Sequence, residues 1–194
     1  MVQEQFWTID YILGFCALIT GIIYVILAAF RFRICWIFGG ISSALLVYTL
    51  LRHHFYVDSV INIYYVIMAF YAWFSWKVNS PIEDLISRDK LNYHISFLAL
   101  IVVGSLILGY LLDLTTLTPF PYADASVGLI SIIATWQSAK KVVQNWIYWI
   151  AADVIAAVLY AAKELYFEST LMVVYAAVAL FGFYEWKRIF NLQK

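Results

Sequence analysis

One face of a long apolar segment, QNWIYWIAADVIAAVLYAAK at 144–163, combines aromatic and acidic side chains. At 100° per residue, Trp146, Trp149, Asp153 and Tyr160 fall within about 60° of one another on a helix. The segment is long enough to cross a bilayer, which places Asp153 near the middle of the hydrocarbon. A carboxylate there costs at least about 2.5 kcal/mol, so we expect it to face a partner or a cavity. Two indole faces beside a counter-charge would suit a cationic aromatic ligand.

Each of these residues also has a structural interpretation. Trp146 lies near the end of the segment, where a tryptophan can serve only as an anchor at the membrane interface. Asp153 could have a purely structural role inside a helix bundle.

The composition places these residues in an integral membrane protein. The chain has 194 residues, of which 65% are hydrophobic and 12% charged, and its mean hydropathy is +0.86. Such values lie outside the range of soluble globular proteins. We predict an all-α protein with seven transmembrane helices at approximately 8–30, 34–52, 57–76, 94–112, 122–139, 144–163 and 168–187. These spans leave no room for a soluble domain.

The basic residues predict the orientation of the chain. Two of them, Arg52 and Lys163, fall on one side of the predicted membrane. The other side receives Arg31, Arg33, Lys77, Arg88, Lys90, Lys140, Lys141, Lys187, Arg188 and Lys194. By the positive-inside rule, the N-terminus is outside and the C-terminus is cytoplasmic.

An internal repeat with an offset of 110 residues organises the chain. Residues matching at this offset include the pairs Trp36 and Trp146, Tyr65 and Tyr175, Trp76 and Trp186, and Lys77 and Lys187. Three helices, a reversing fourth and three more give a 3+1+3 parallel repeat, a plan used by transporters. We predict a first repeat at 8–77, a connecting region at 78–121 and a second repeat at 122–190. Ser43 then corresponds to Asp153 at the centre of its span.

Several motifs resemble those of the Pnu family of bacterial vitamin transporters, whose archetype imports nicotinamide riboside. They are Asp124, Lys141, NWIYW at 145–149, Asp153, Tyr160, Tyr166, Gly182-x3-Trp186, Phe38-Gly39, Tyr56 and WFSW ending at Trp76. The resemblance covers nearly the whole chain and implies a SWEET-like fold. It also implies that the protein lies in the bacterial inner membrane and that Asn145, Trp146 and Trp149 contact the vitamin. Transport would be facilitated diffusion, with a cytoplasmic kinase that traps the product.

Two positions depart from the pattern of nicotinamide riboside transporters, with Ser42 in place of Asn and Asn62 in place of Gln. Nicotinamide riboside and thiamine both contain a cationic aromatic ring, whereas riboflavin is neutral. The predicted function is therefore import of a cationic aromatic vitamin, nicotinamide riboside, by alternating access, with thiamine as the alternative. The predicted substrate-binding residues are Trp146, Trp149, Asp153, Asn145, Tyr160, Ser42, Ser43, Asn62, Gln137 and Tyr175.

Other functional classes lack their motifs. Span 7 has no lysine between Ser169 and Glu185 for a retinal Schiff base. HExxH, GxSxG and Walker motifs are also missing from the sequence, which argues against an intramembrane enzyme or an ATP-driven pump. We predict no metal, cofactor or nucleic-acid partner, and we expect a homo-oligomer, with a trimer as the guess. Asp153 leaves proton coupling open as the alternative to uniport.

Overall fold

The computed structural model describes residues 2–76, 85–115 and 118–193, and within this part of the chain it has seven α-helices. The helices are α1 (Val2–Ala29), α2 (Cys35–Arg52), α3 (Tyr56–Ser75), α4 (Leu91–Thr115), α5 (Pro121–Ala139), α6 (Asn145–Ala162) and α7 (Tyr166–Leu192). The all-α membrane fold and its seven helices agree with the prediction. Lys77, and the start of the predicted connecting region at 78–84, lie outside the described residues.

Helix α5 differs from the other six. By length and composition, α1, α2, α3, α4, α6 and α7 are apolar enough to cross a membrane, whereas α5 is not among these candidates. Ten of its 19 residues are buried, including Ser131, Thr135, Gln137 and Ser138. Polar side chains in a membrane bundle normally face its interior. The sequence of α5 therefore reflects contact with protein rather than with lipid.

The chain forms two compact units, Met1–Asp84 and Leu85–Lys194. In the first, α2 packs against both α1 and α3. Trp36 and Trp76 meet edge to face, with ring centroids 5.5 Å apart and an interplanar angle of 85°. Arg52 and His53 lie 3.4 and 3.3 Å from the carboxylate of Asp10, joining the end of α2 to α1.

The second unit has the same plan with one helix added. Helix α6 packs against α5 and α7, and α4 packs against α5. Trp146 and Trp186 meet edge to face at 5.6 Å and 84°. Lys163 lies 2.9 and 3.0 Å from the two carboxylate oxygens of Asp124, joining the end of α6 to α5.

The turns between the helices recur at the offset of 110 residues. Arg31, His54, Lys141 and Glu164 all have positive φ, between 55° and 62°. Each follows a helix end at which the next amide donates to the carbonyl five residues earlier, as Phe32 does to Leu27 and Val142 to Gln137, both at 2.9 Å. This is the Schellman pattern, here without the usual glycine. The local geometry of the two units therefore repeats, while their parallel relation across the membrane stays a prediction.

The segment 85–90, which we call the strap, lies against the α5–α6 turn of the second unit. The Ser87 amide donates to the Lys141 carbonyl and the Val143 amide donates to the Ser87 carbonyl, both at 2.9 Å. Ile86 is buried. The strap is thus held by hydrogen bonds to both the amide and the carbonyl of Ser87, within the region that the sequence predicted only as a connection.

Candidate ligand-binding site

Helix α6 buries the face that the sequence singled out. It begins at Asn145, directly after the turn that carries Lys141. Its buried residues are Asn145, Trp146, Ala152, Asp153, Ala156, Ala157 and Leu159. Of the predicted stripe, Trp146 and Asp153 are therefore enclosed, whereas Trp149 and Tyr160 are half-buried.

Trp146 is enclosed by protein. Its side chain is 3% exposed, and it packs edge-on against Trp186. A Cβ atom built on Gly182 would lie 2.7 Å from the Trp146 ring, so the ring rests directly on the backbone of α7. Among the described residues, its indole nitrogen has no hydrogen-bond partner. Trp146 thus has a packing role, and its contact with a vitamin stays a prediction.

Trp149 has a different environment. It is half-buried, and its Nε1 donates a hydrogen bond to the Ser138 hydroxyl at 3.2 Å. Ser138 Oγ in turn lies 2.9 Å from Asn145 Oδ1, and Asn145 Nδ2 donates to the Val142 carbonyl at 2.6 Å. The structure therefore brings two of the predicted site residues, Asn145 and Trp149, into one hydrogen-bonded chain.

Asp153 lies at the middle of α6 and is buried. Among the described residues, none donates a hydrogen bond to its carboxylate or forms an ion pair with it. Tyr175 of α7 is close enough to interact with it electrostatically. Tyr160, further along α6, is half-buried. The carboxylate is thus largely shielded from solvent, and no described residue of the second unit supplies a counter-charge.

Gln137 is fully buried, and its side chain binds the strap. Its Nε2 donates to Asp89 Oδ2 at 2.8 Å, while its Oε1 has no partner among the described residues. Gln144 also holds Asp89, because its Oε1 accepts from the Asp89 amide at 3.2 Å and its Nε2 donates to the Asp89 carbonyl at 3.1 Å. In the structure, the amide nitrogen of Gln137 is therefore occupied by the strap.

The other predicted site residues, Ser42, Ser43 and Asn62, lie in the first unit. Ser42 and Ser43 are buried, and Ser42 Oγ donates to the Ala17 carbonyl at 2.8 Å. Asn62 Nδ2 donates to the Asp58 carbonyl, four residues earlier in its own helix, at 2.9 Å. Ser42 thus links α2 to α1, and a role of any of the three in binding stays a prediction.

Ser138 and Asp89 are residues that the sequence reasoning missed. The repeat could have pointed to Ser138, because the residue 110 positions earlier is an alanine rather than a serine. Ser138, Asn145 and Trp149 correspond to Ala28, Cys35 and Gly39. Asp89 has no such signal, since it precedes α4 and only folding places it on Gln137.

These observations define a multi-pass α-helical membrane protein with a buried carboxylate and a hydrogen-bonded tryptophan on one helix. The chain belongs to the nicotinamide mononucleotide transporter family, whose model matches residues 11–188. The resemblance to the Pnu family is thereby confirmed, and with it the assignment to a family of vitamin transporters.

Characterised relatives and a solved structure agree with this assignment. The chain is 22% identical over 195 residues to the nicotinamide riboside transporter PnuC of Escherichia coli, covering 87% of this chain and 82% of the relative. It is 24% identical over 127 residues to the riboflavin/roseoflavin transporter RibM of Streptomyces davaonensis, covering 61% and 58%. The crystal structure of the vitamin B3 transporter PnuC superposes with a TM-score of 0.74 at 19% identity, covering 100% of this chain and 88% of that one. This last similarity shows a common fold.

Proposed function

We propose that this protein carries nicotinamide riboside across the bacterial inner membrane. The observation that supports this substrate is the buried carboxylate of Asp153, which no described residue neutralises. An uncompensated charge in the hydrocarbon is costly, and such residues usually serve a ligand or an ion. The pyridinium ring of nicotinamide riboside would supply the missing positive charge.

Trp149 supports the same substrate class. It lies four residues before Asp153, one helical turn away, and it is only half-buried. An indole face attracts a cationic ring by both stacking and the cation–π interaction. A carboxylate and an indole one turn apart can therefore bind the charge and the plane of one aromatic cation.

The proposed transport mode is facilitated diffusion with alternating access. The N-terminus lies outside and the C-terminus in the cytoplasm, as the distribution of basic residues indicates. A cytoplasmic kinase would trap the vitamin and maintain its inward gradient. A homotrimeric assembly is part of the same proposal.

Uptake by purified protein in proteoliposomes tests the substrate. We expect labelled nicotinamide riboside to enter down its gradient and unlabelled thiamine to compete less well. Riboflavin, which has a neutral ring, should compete weakly. Preferential uptake of thiamine would assign the alternative substrate, and preferential uptake of riboflavin would contradict the role of the charge.

The Asp153→Asn variant tests the counter-charge. It should weaken binding of nicotinamide riboside and leave binding of its reduced, uncharged analogue nearly unchanged. The matched control is Glu185→Gln, which removes one negative charge from a residue that pairs with Arg188 instead. An equal loss for the charged and the uncharged ligand would refute the counter-charge.

An imposed pH gradient separates uniport from proton coupling. We expect uptake by the wild-type protein to stop at equal concentrations on both sides, whatever the gradient. Accumulation above equilibrium that follows the pH gradient and disappears in Asp153→Asn would show that the carboxylate carries a coupled proton.

A further inference from the structure

We propose that Ser138 is a positioning residue, which fixes the indole ring of Trp149 in the orientation that binds the vitamin. This inference rests on the proposed function, since it takes Trp149 as a ligand contact. The observation behind it is the chain of hydrogen bonds that runs from the Val142 carbonyl through Asn145 and Ser138 to Trp149.

The chemistry of Trp149 fixes the direction of the hydrogen bond to Ser138. Trp149 Nε1 can only donate, so Ser138 Oγ accepts from it. Asn145 Nδ2 donates to the Val142 carbonyl, which leaves Asn145 Oδ1 as an acceptor for the Ser138 hydroxyl proton. The Ala134 carbonyl, 2.8 Å from Ser138 Oγ, is the alternative acceptor for that proton. In either arrangement the serine lone pair points to the indole, and Asn145 and Ser138 are both buried.

The hydrogen bond from Trp149 Nε1 to Ser138 Oγ restrains the side-chain torsions that orient the indole ring. A half-buried indole with no anchor can adopt more than one rotamer, and the loss of that freedom on binding costs free energy. Because Nε1 is held at 3.2 Å from a buried hydroxyl, the ring is already oriented before the ligand arrives. Ser138 therefore increases affinity without touching the vitamin.

The first unit shows that helix packing alone does not require this chain of hydrogen bonds. There, Gly39 stands where the second unit has Trp149, and a Cβ atom on Gly39 would lie 2.8 Å from the Tyr24 ring. Tyr24 corresponds to Ala134, so each unit places one ring in this region but takes it from a different helix. Among the described residues at these equivalent positions, only the second unit has an indole N–H, the serine that accepts from it and the asparagine that binds this serine.

A double-mutant cycle between Ser138 and Trp149 tests the proposal. Ser138→Ala should weaken nicotinamide riboside binding by about 3- to 10-fold, the range of one hydrogen bond. In a Trp149→Phe background, which keeps an aromatic ring but has no N–H, the same change should alter affinity by less than about 2-fold. The matched control Ser131→Ala removes a buried hydroxyl from the same helix and should leave affinity unchanged.

A purely structural role for Ser138 would give a different pattern. Equal losses from Ser138→Ala in the wild-type and Trp149→Phe backgrounds would overturn the proposal. The variant Ser138→Thr keeps the hydroxyl and should retain wild-type affinity, whereas a loss equal to that of Ser138→Ala would also overturn it.

A measurement without ligand separates this proposal from the proposed function. The fluorescence of Trp149, taken as the difference between wild-type and Trp149→Phe protein, should shift to shorter wavelength when Ser138→Ala is added. An unchanged difference spectrum would refute the positioning role. If the wild-type protein binds none of the vitamins but the spectrum shifts, the proposed substrate fails while the contact between Ser138 and Trp149 stands.

Discussion

Two tryptophans of the same motif should respond differently to replacement by alanine. Trp146 is enclosed by Trp186 and by the backbone at Gly182, so Trp146→Ala leaves a cavity. In a bilayer, helices that come apart remain in lipid. The free energy lost in Trp146→Ala therefore comes mainly from lost packing contacts. A cavity of about 100–150 Å³ at about 24 cal/mol per Å³ costs about 2.4–3.6 kcal/mol. Trp149→Ala should instead weaken vitamin binding by about 1–3 kcal/mol with a smaller loss of stability.

The first unit supplies a matched control in Trp36→Ala. Trp36 is 3% exposed, as Trp146 is, and it meets Trp76 in nearly the same geometry. Thermal unfolding in detergent should give similar decreases in Tm for Trp36→Ala and Trp146→Ala. Calorimetric titration with nicotinamide riboside should give the largest loss of affinity for Trp149→Ala. A Trp146→Ala protein with wild-type Tm and no binding would refute the packing argument.

Three further predictions concern orientation, the strap and the close contact of α7. In a background without native cysteines, Glu164→Cys should react with an impermeant thiol reagent from outside and Lys187→Cys only from the cytoplasm; the reverse pattern would invert the topology. Asp89→Ala should lower stability by about 1.5–3 kcal/mol, because Gln137 loses a charged acceptor, and an unchanged Tm would show that the strap is dispensable. Gly182→Ala should lower Tm, since its new Cβ atom would meet the Trp146 ring at 2.7 Å, and a wild-type Tm would mean that the ring can move aside.

The sequence by itself was sufficient for the class and the local plan of the fold. Apolar segments of membrane-spanning length predict helices because a backbone in lipid must satisfy its own hydrogen bonds. At the offset of 110 residues, Arg31 and Lys141 occupy equivalent left-handed positions. Trp36 and Trp146, which are paired at the same offset, make similar edge-to-face contacts with Trp76 and Trp186, while the 3+1+3 repeat as a whole stays a prediction.

Only the tertiary structure shows which neighbours surround the side chain of each candidate residue. Spacing along a helix places Trp146 and Trp149 near one face, but it does not say which neighbour fills the space in front of each ring. Trp146 meets Gly182 of α7, 36 positions away, whereas Trp149 binds Ser138 of α5. Gln137 likewise looks like a site residue in the sequence, yet its amide binds Asp89, 48 residues earlier. Contacts between residues so far apart depend on how helices pack, and a pattern within one helix carries no information about that packing.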